Sequence, residues 1–289
     1  MLPIRDSTRR QRVPLVTVAL IAANVIAFLF WQPTLRHEKD AELAQQTFFW
    51  CHAQIPYELA HQVPLARSGT NGREEIHNDY GVTTADATQL QDYLGRKCPD
   101  KNIWLSIVTA MFLHAGWLHL GGNMLFLWIF GNNVEDAMGK VRFLAFYLLS
   151  GLAATALQTV VTLAAVALQF GLAPNSTIPN VGASGAIAAV LGAYIVLYPR
   201  ARILTVVFFF LITLIELPAL VVLGLWFVLQ LFQGVSGLAA QVNGGVAYWA
   251  HVGGFGFGVV VALLFLRGRR RPALRPPAFP TYPGRPDLP

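Results

Sequence analysis

From Val13 to Leu266 the chain is a succession of apolar runs, several nearly free of charge and about 20 residues long, the length that crossing roughly 30 Å of hydrocarbon requires. Such runs leave few folds open. In lipid every backbone N–H and C=O has to find its partner inside the protein, so a bundle of helices is the expected solution. Composition agrees, with 55% apolar residues and only 12% charged ones, where soluble domains carry roughly twice that charge fraction. The formal net charge is +6, but the basic residues flank apolar runs. They read as topology signals, with no nucleic-acid partner implied.

Six spans are expected. The first covers Val13 to Trp31 and is read as an uncleaved anchor behind the basic segment 1–12, because no small-x-small cleavage site precedes Gln32-Pro33. A long polar loop follows over residues 32–101. The apolar stretch from Ile103 is interrupted at His114-Ala115-Gly116-Trp117, which divides it into a short interfacial helix and a second span, Trp117 to Gly131. The third covers Phe143 to Leu163, with a weak extension to Phe170, and the fourth Ala183 to Tyr198. Between Ile203 and Phe232 the run is too long for one span. Glu216 and Pro218 break it into a membrane-hugging connector and a fifth span, Leu217 to Phe232. The sixth runs from Val246 to Leu266, giving an all-α membrane domain over 13–266. Beyond it, residues 267–289 form a basic, proline-rich tail expected not to pack.

Orientation follows from the positive-inside rule. An inner N-terminus puts Arg5, Arg9, Arg10, Arg12, Lys140, Arg142, Arg200, Arg202 and the tail arginines on one side, and leaves the acidic-leaning 32–101 loop on the other. Both termini are then cytoplasmic.

Polar groups at membrane depth are costly and mark function by default. His114, His119, Asn123, Ser184, Glu216 and His251 qualify. Ser184 stands between Gly182-Ala183 and Gly185 where a loop enters the fourth span, a place where glycines admit substrate backbone and free N–H groups can hold an oxyanion. Plain helix packing also uses such small residues. His251, one turn into the sixth span, shares the depth of Ser184, since both spans enter from the outer side. Gly254 and Gly258 lie on one face of the sixth span, and Gly185, Ala189 and Gly192 give the fourth the small residues for a close crossing. That crossing would serve a nucleophile and its general base, with a purely structural serine–histidine bond the alternative that the shared depth disfavours. His119 and Asn123, four apart on one helical face, suit oxyanion donors, and His114 could reach them through water. A metal site lacks a His-Glu-x-x-His motif and a nearby carboxylate. Glu216 belongs to the inner end of the fifth span, about 20 Å from His251 in depth, so a dyad without a carboxylate is expected, with Glu216 an interfacial contact.

The ordered motifs His114-Ala-Gly-Trp-Leu-His119-Leu-Gly-Gly-Asn123, Gly131-Asn-Asn-Val-Glu135-Asp-Ala-Met-Gly139, Gly182-Ala-Ser184-Gly185 and Ala250-His251-Val-Gly-Gly254-Phe-Gly-Phe-Gly258 resemble those of the rhomboid family of intramembrane serine proteases. The resemblance covers about residues 100–266. It implies a six-helix bundle with a water-filled cavity open to the outer side, Ser184 as nucleophile and His251 as general base. His119, Asn123 and the Ser184 N–H would hold the oxyanion, with His114 in the neighbouring hydrogen-bond network. Glu135 would brace the loop after the second span. The implied partners are membrane proteins cleaved near the outer end of a transmembrane segment, and no cofactor is implied. One departure stands out: where the family often carries an aromatic residue one turn after the serine, packed on the histidine, this chain has Ala188.

Cys51 and Cys98 both fall in the outer loop, where a disulfide and two free thiols are both open readings. Asn175-Ser176-Thr177 is a glycosylation sequon, expected to go unused because the compact chain looks bacterial, which also places it in a bacterial cytoplasmic membrane. Two other functions compete with proteolysis. A catalytically silent binder or escort of membrane helices would not need the Ser184 and His251 pair with its glycines. A small transporter would call for an intramembrane carboxylate near the cluster and repeat symmetry, and neither is present.

Overall fold

A computed structural model describes residues 2–8, 12–33, 41–80, 83–167, 176–209, 211–240 and 247–266. Arg9, Arg10, the sequon residue Asn175 and the tail 267–289 lie outside the described residues.

The chain opens with strand β1 (Leu2–Asp6) and helix α1 (Leu15–Trp31), whose last turn widens to a π-helical one. Residues 41–97 then form four short helices: α2 (Ala41–His52), α3 (Pro56–His61), α4 (Gly69–Tyr80) and α5 (Thr84–Lys97). The expected loop is therefore a folded subdomain. Its apolar core consists of Ile55, Tyr57, Leu65, Ile76, Ala87 and Leu94, with Trp50, Leu90 and Tyr93 packed around it. In α5 the buried Ala87, Gln91 and Leu94 share one face, and Thr83 with Asp86 caps this helix reciprocally. A disulfide between Cys51 and Cys98, Cα atoms 5.6 Å apart, ties the end of α2 to the end of α5. Nearby, Lys101 and Glu58 form an ion pair of 2.6 Å with both side chains almost wholly buried. Burial pushes the Glu58 carboxyl up and the Lys101 ammonium down, and the charge of each pulls the other back.

The rest is a bundle. α6 (Leu105–Ala110) and α7 (Trp117–Phe126) are separated by the His114–Gly116 break. α7 continues through a π turn at Leu127–Gly131 into α8 (Asn132–Met138), and α9 (Lys140–Ala167) returns across the bundle. α10 (Ser184–Leu197) is apolar all round and lies at the centre, buried on every face except its two ends. α11 (Ala219–Ala240) and α12 (Tyr248–Val261, extended by a π turn to Leu266) close the bundle. Among the described residues three helices, over 140–165, 219–236 and 248–266, are long and apolar enough to cross a membrane; Leu15–Trp31 and Ser184–Leu197 are apolar but shorter. Large apolar side chains stand exposed along α1, α9, α11 and α12, among them Phe30, Val160, Val228, Phe232 and Leu264. A surface of that kind needs lipid rather than water around it.

The all-α expectation needs correction. Arg202–Phe209 (β2) and Leu211–Pro218 (β3) pair antiparallel, Arg202 opposite Pro218 and Phe209 opposite Leu211, and β1 adds to β2 with Leu2 opposite Val206 and Asp6 opposite Ile203. Apolarity alone cannot tell a buried helix from a strand. The β-branched residues Ile203, Thr205, Val206, Val207, Ile212, Thr213 and Ile215 are what favour strands here. Pro218 ends β3, and α11 starts directly after it. The basic N-terminal segment is likewise part of the fold, since β1 is one edge of the sheet and Asp6 accepts hydrogen bonds from Asn133 (2.8 Å) and the Tyr194 hydroxyl (2.7 Å).

Candidate active site

Ser184 is the first residue of α10 and His251 the fourth of α12. The two helices cross so closely that their backbones nearly touch. A Cβ at Gly254 would overlap the Gly185 carbonyl, and one at Gly258 would overlap the Ala189 carbonyl. That approach brings His251 Nε2 to 2.8 Å from Ser184 Oγ. Gly182 has φ +123°, a conformation side chains rarely adopt, and a Cβ there would also lie 2.9 Å from the His119 ring. Its N–H donates to the Ala110 carbonyl at 2.9 Å, which fixes the turn into α10.

His119 and Asn123 stand one turn apart on α7. The His119 Nδ1 accepts from the Ala115 N–H at 3.3 Å. Its other nitrogen, Nε2, therefore carries the proton, and it faces Gly182 and Ser184. The amide nitrogen of Asn123 is buried and makes no hydrogen bond. A buried donor without an acceptor is costly in a resting fold and suits a charge that appears only during reaction. The Ser184 N–H, at the start of a helix, has no acceptor in the turn before it. His114 is fully buried behind this group, its ring 5.1 Å from that of His119 and edge-on. Its main chain exchanges two 2.9 Å hydrogen bonds with the Gln32 side chain.

Glu135 acts at the opposite end of the bundle. From α8 its carboxylate accepts the N–H of Val16 (3.0 Å) and both the N–H and hydroxyl of Thr17 (2.7 Å each), so it satisfies donors in the first turn of α1. Glu216 lies in β3, 3.8 Å from Arg202, and the structure does not bring it to His251. Among the described residues no group of three or more His, Cys, Asp and Glu side chains is placed to hold a metal ion.

The dyad reading left out the group that does reach the histidine. Gln230, in the middle of α11, has its Oε1 2.8 Å from His251 Nδ1. Gln158 of α9 is a second amide outside the motifs: its Oε1 accepts the Ala250 N–H at 3.1 Å, in the first turn of α12. Both are amides inside apolar helices, and the cost of polar groups at depth that singled out Asn123 applies equally to them. Gln54, from the 41–97 subdomain, lines the cleft beside Gly182 and Ser184. Its main chain and side chain both bond Asn180 at 2.8 Å, four residues before Ser184.

The sequence profile of the Rhomboid domain matches residues 101–268, so it begins where the 41–97 subdomain ends and takes in every residue of the Ser184 and His251 cluster except Gln54 and Gln32. Rhomboid protein 1, mitochondrial, of Saccharomyces cerevisiae is 32% identical over 216 residues, 71% of this chain and 57% of that protein. Rhomboid-like protein 11, chloroplastic, of Arabidopsis thaliana is 30% identical over 172 residues, 56% of this chain and 52% of that one. The Rhomboid protease GluP of Bacillus subtilis is 36% identical over 103 residues, 35% of this chain and 18% of that protein. The chain thus spans about half the length of the first two relatives. Organellar names stand beside bacterial ones, so the expected bacterial cytoplasmic membrane is not supported; a membrane protein is.

Proposed function

Because the chain belongs to the rhomboid family, we propose that it is an intramembrane serine endopeptidase that hydrolyses peptide bonds in or near transmembrane segments of membrane proteins. The observation that carries the reading is the 2.8 Å bond between Ser184 Oγ and His251 Nε2, at the ends where α10 and α12 begin. In this reading Ser184 Oγ attacks the scissile carbonyl while its proton passes to His251 Nε2. The oxyanion so formed is met by His119 Nε2–H, the Asn123 amide and the Ser184 N–H. His251 then returns the proton to the leaving amine, and a water activated by the same nitrogen releases the acyl group. No cofactor takes part.

The same reading assigns six spans: α1, α7 with its π turn, α9, α10, α11 and α12. α10 has only 14 residues, about 21 Å, yet its sides are covered by other helices, so its ends can lie below the membrane surface in a wet cavity. Odd and even spans then alternate, both termini share the basic side, and the 32–101 subdomain stands on the side where Ser184 opens.

Labelling of the purified protein by a serine-directed fluorophosphonate tests the reading. Wild type should label, and Ser184→Ala and His251→Ala should not. An unlabelled wild type would return the chain to the silent binder of membrane helices, and label surviving in Ser184→Ala would place the nucleophile elsewhere.

A further inference from the structure

The ring expected one turn after Ser184 is replaced from a helix that none of the motifs touches. Ala188 cannot be larger, because it is fully buried in the α10–α12 crossing and its Cβ lies 3.4 Å from where a side chain at Gly254 would begin. Support for His251 comes instead from α11, whose Trp226 and Gln230 are four residues apart and so share a face. The Trp226 ring is 5.9 Å from the imidazole and tilted by 39°, and Gln230 Oε1 is 2.8 Å from Nδ1. Tyr248 closes a third side, edge-on at 6.5 Å.

We propose that Gln230 is the positioning residue for His251, an uncharged third member that fixes the imidazole in the tautomer a general base needs. The inference rests on the reading of Ser184 and His251 as nucleophile and base. An amide oxygen has lone pairs and no proton, so the bond to it requires a proton on Nδ1. Nε2 is then left with its lone pair directed at Ser184 Oγ. The opposite tautomer would put a proton on Nε2 and disable it as base. Depth explains why an amide holds the place rather than a carboxylate: an ionised Asp or Glu there would have to shed its water within a span, whereas Gln carries no charge to desolvate. The consequence is an asymmetry of roles. Gln230 orients the ring and selects the tautomer, but it stabilises the imidazolium formed during attack less than a carboxylate would.

The test uses the full chain in detergent or liposomes, with Gln230→Met, equal in length but without an acceptor, and Gln230→Glu, which keeps one. Gln230→Met should lower kcat on a transmembrane substrate, and the rate of fluorophosphonate acylation, by roughly tenfold to a hundredfold with KM changed less than about twofold. Gln230→Glu should recover most of the loss. Nitrogen NMR of wild-type His251 should show the proton on Nδ1. Acylation of Gln230→Met at the wild-type rate, or a wild-type proton on Nε2, would overturn the assignment. If Gln230→Met fails to fold, the wild-type spectrum still decides. A wild type that never labels at Ser184 would instead defeat the protease reading, so the two failures are separable.

Discussion

Residues 41–101 are held by a disulfide, a buried ion pair and a small apolar core, whereas the bundle around α10 is held by glycines that let helix backbones touch. The difference follows from the solvent. In water, burying Ile55, Leu65, Ile76 and Leu94 releases hydration, but a unit this small gains too little from it to stand alone, and a covalent tie supplies the rest. In lipid, apolar surface has no such preference for its own kind, so close packing and polar bonds between helices carry cohesion. The bundle should therefore fail when a glycine is filled, and the outer subdomain when a tie is cut.

The largest effect is expected from Gly254→Val. The added carbons would overlap the Gly185 carbonyl, so α10 and α12 must separate, at a cost above about 4 kcal/mol. Thermal melting in detergent should show the bundle transition lost and Ser184 labelling gone, while Cys51 and Cys98 stay closed to thiol reagents. A bundle that melts as wild type would mean that glycine contact is not what holds it.

Cutting the covalent tie comes next. Cys51→Ser with Cys98→Ser frees a loop with a sequence separation of 47, worth about 4 kcal/mol on a chain-entropy account. Limited proteolysis should then cut within 41–97, while the bundle resists. Smaller again is Lys101→Met, which leaves the Glu58 carboxylate buried without its partner and should cost the subdomain about 3 kcal/mol. The double change Glu58→Leu with Lys101→Met should regain most of that, because two apolar side chains need no solvation. If the double variant is as weak as the single one, the ion pair is a net stabiliser in its own right.

The two regions were not equally legible in the sequence. Helix positions in the bundle follow from apolar runs broken at His114–Trp117 and Gly171–Asn180, and the shared depth of Ser184 and His251 follows from counting crossings. Residues 41–97 offer no such signal, because short helices of mixed composition look like polar loop until they pack on Ile55, Leu65, Ile76 and Leu94. The β2–β3 hairpin was hidden for the opposite reason: its residues are as apolar as a span, and only their β-branching separates them from α11. Gln230 stands outside every motif in a run of apolar residues, although as an amide it bears the same cost of burial that marks Asn123.

The smallest change probes a place where the two regions meet beside the site. Gln54 belongs to the outer subdomain, three residues after Cys51, yet its side-chain oxygen accepts from Asn180 Nδ2 at 2.8 Å and its amide donates to Thr159 of α9 at 3.3 Å. Tyr57 adds a main-chain bond to the Ser176 carbonyl at 2.8 Å. The segment that leads into Gly182 and Ser184 is thus laid against the subdomain rather than against the bundle alone. Gln54→Ala removes two side-chain bonds and keeps the main-chain one, so about 1 to 2 kcal/mol of local stability should go, with both melting transitions nearly in place. Catalysis should feel more than stability does, since a small shift of the nucleophile turn misaligns Ser184 with His251, and a fall in kcat of roughly tenfold is expected. Asn180→Ala should reproduce part of it, and the two together should cost little more than Gln54→Ala alone, because the bond between the two side chains is common to both. If cleavage by Gln54→Ala matches wild type, the subdomain is only a cover, and the nucleophile turn is held by its bond to Ala110.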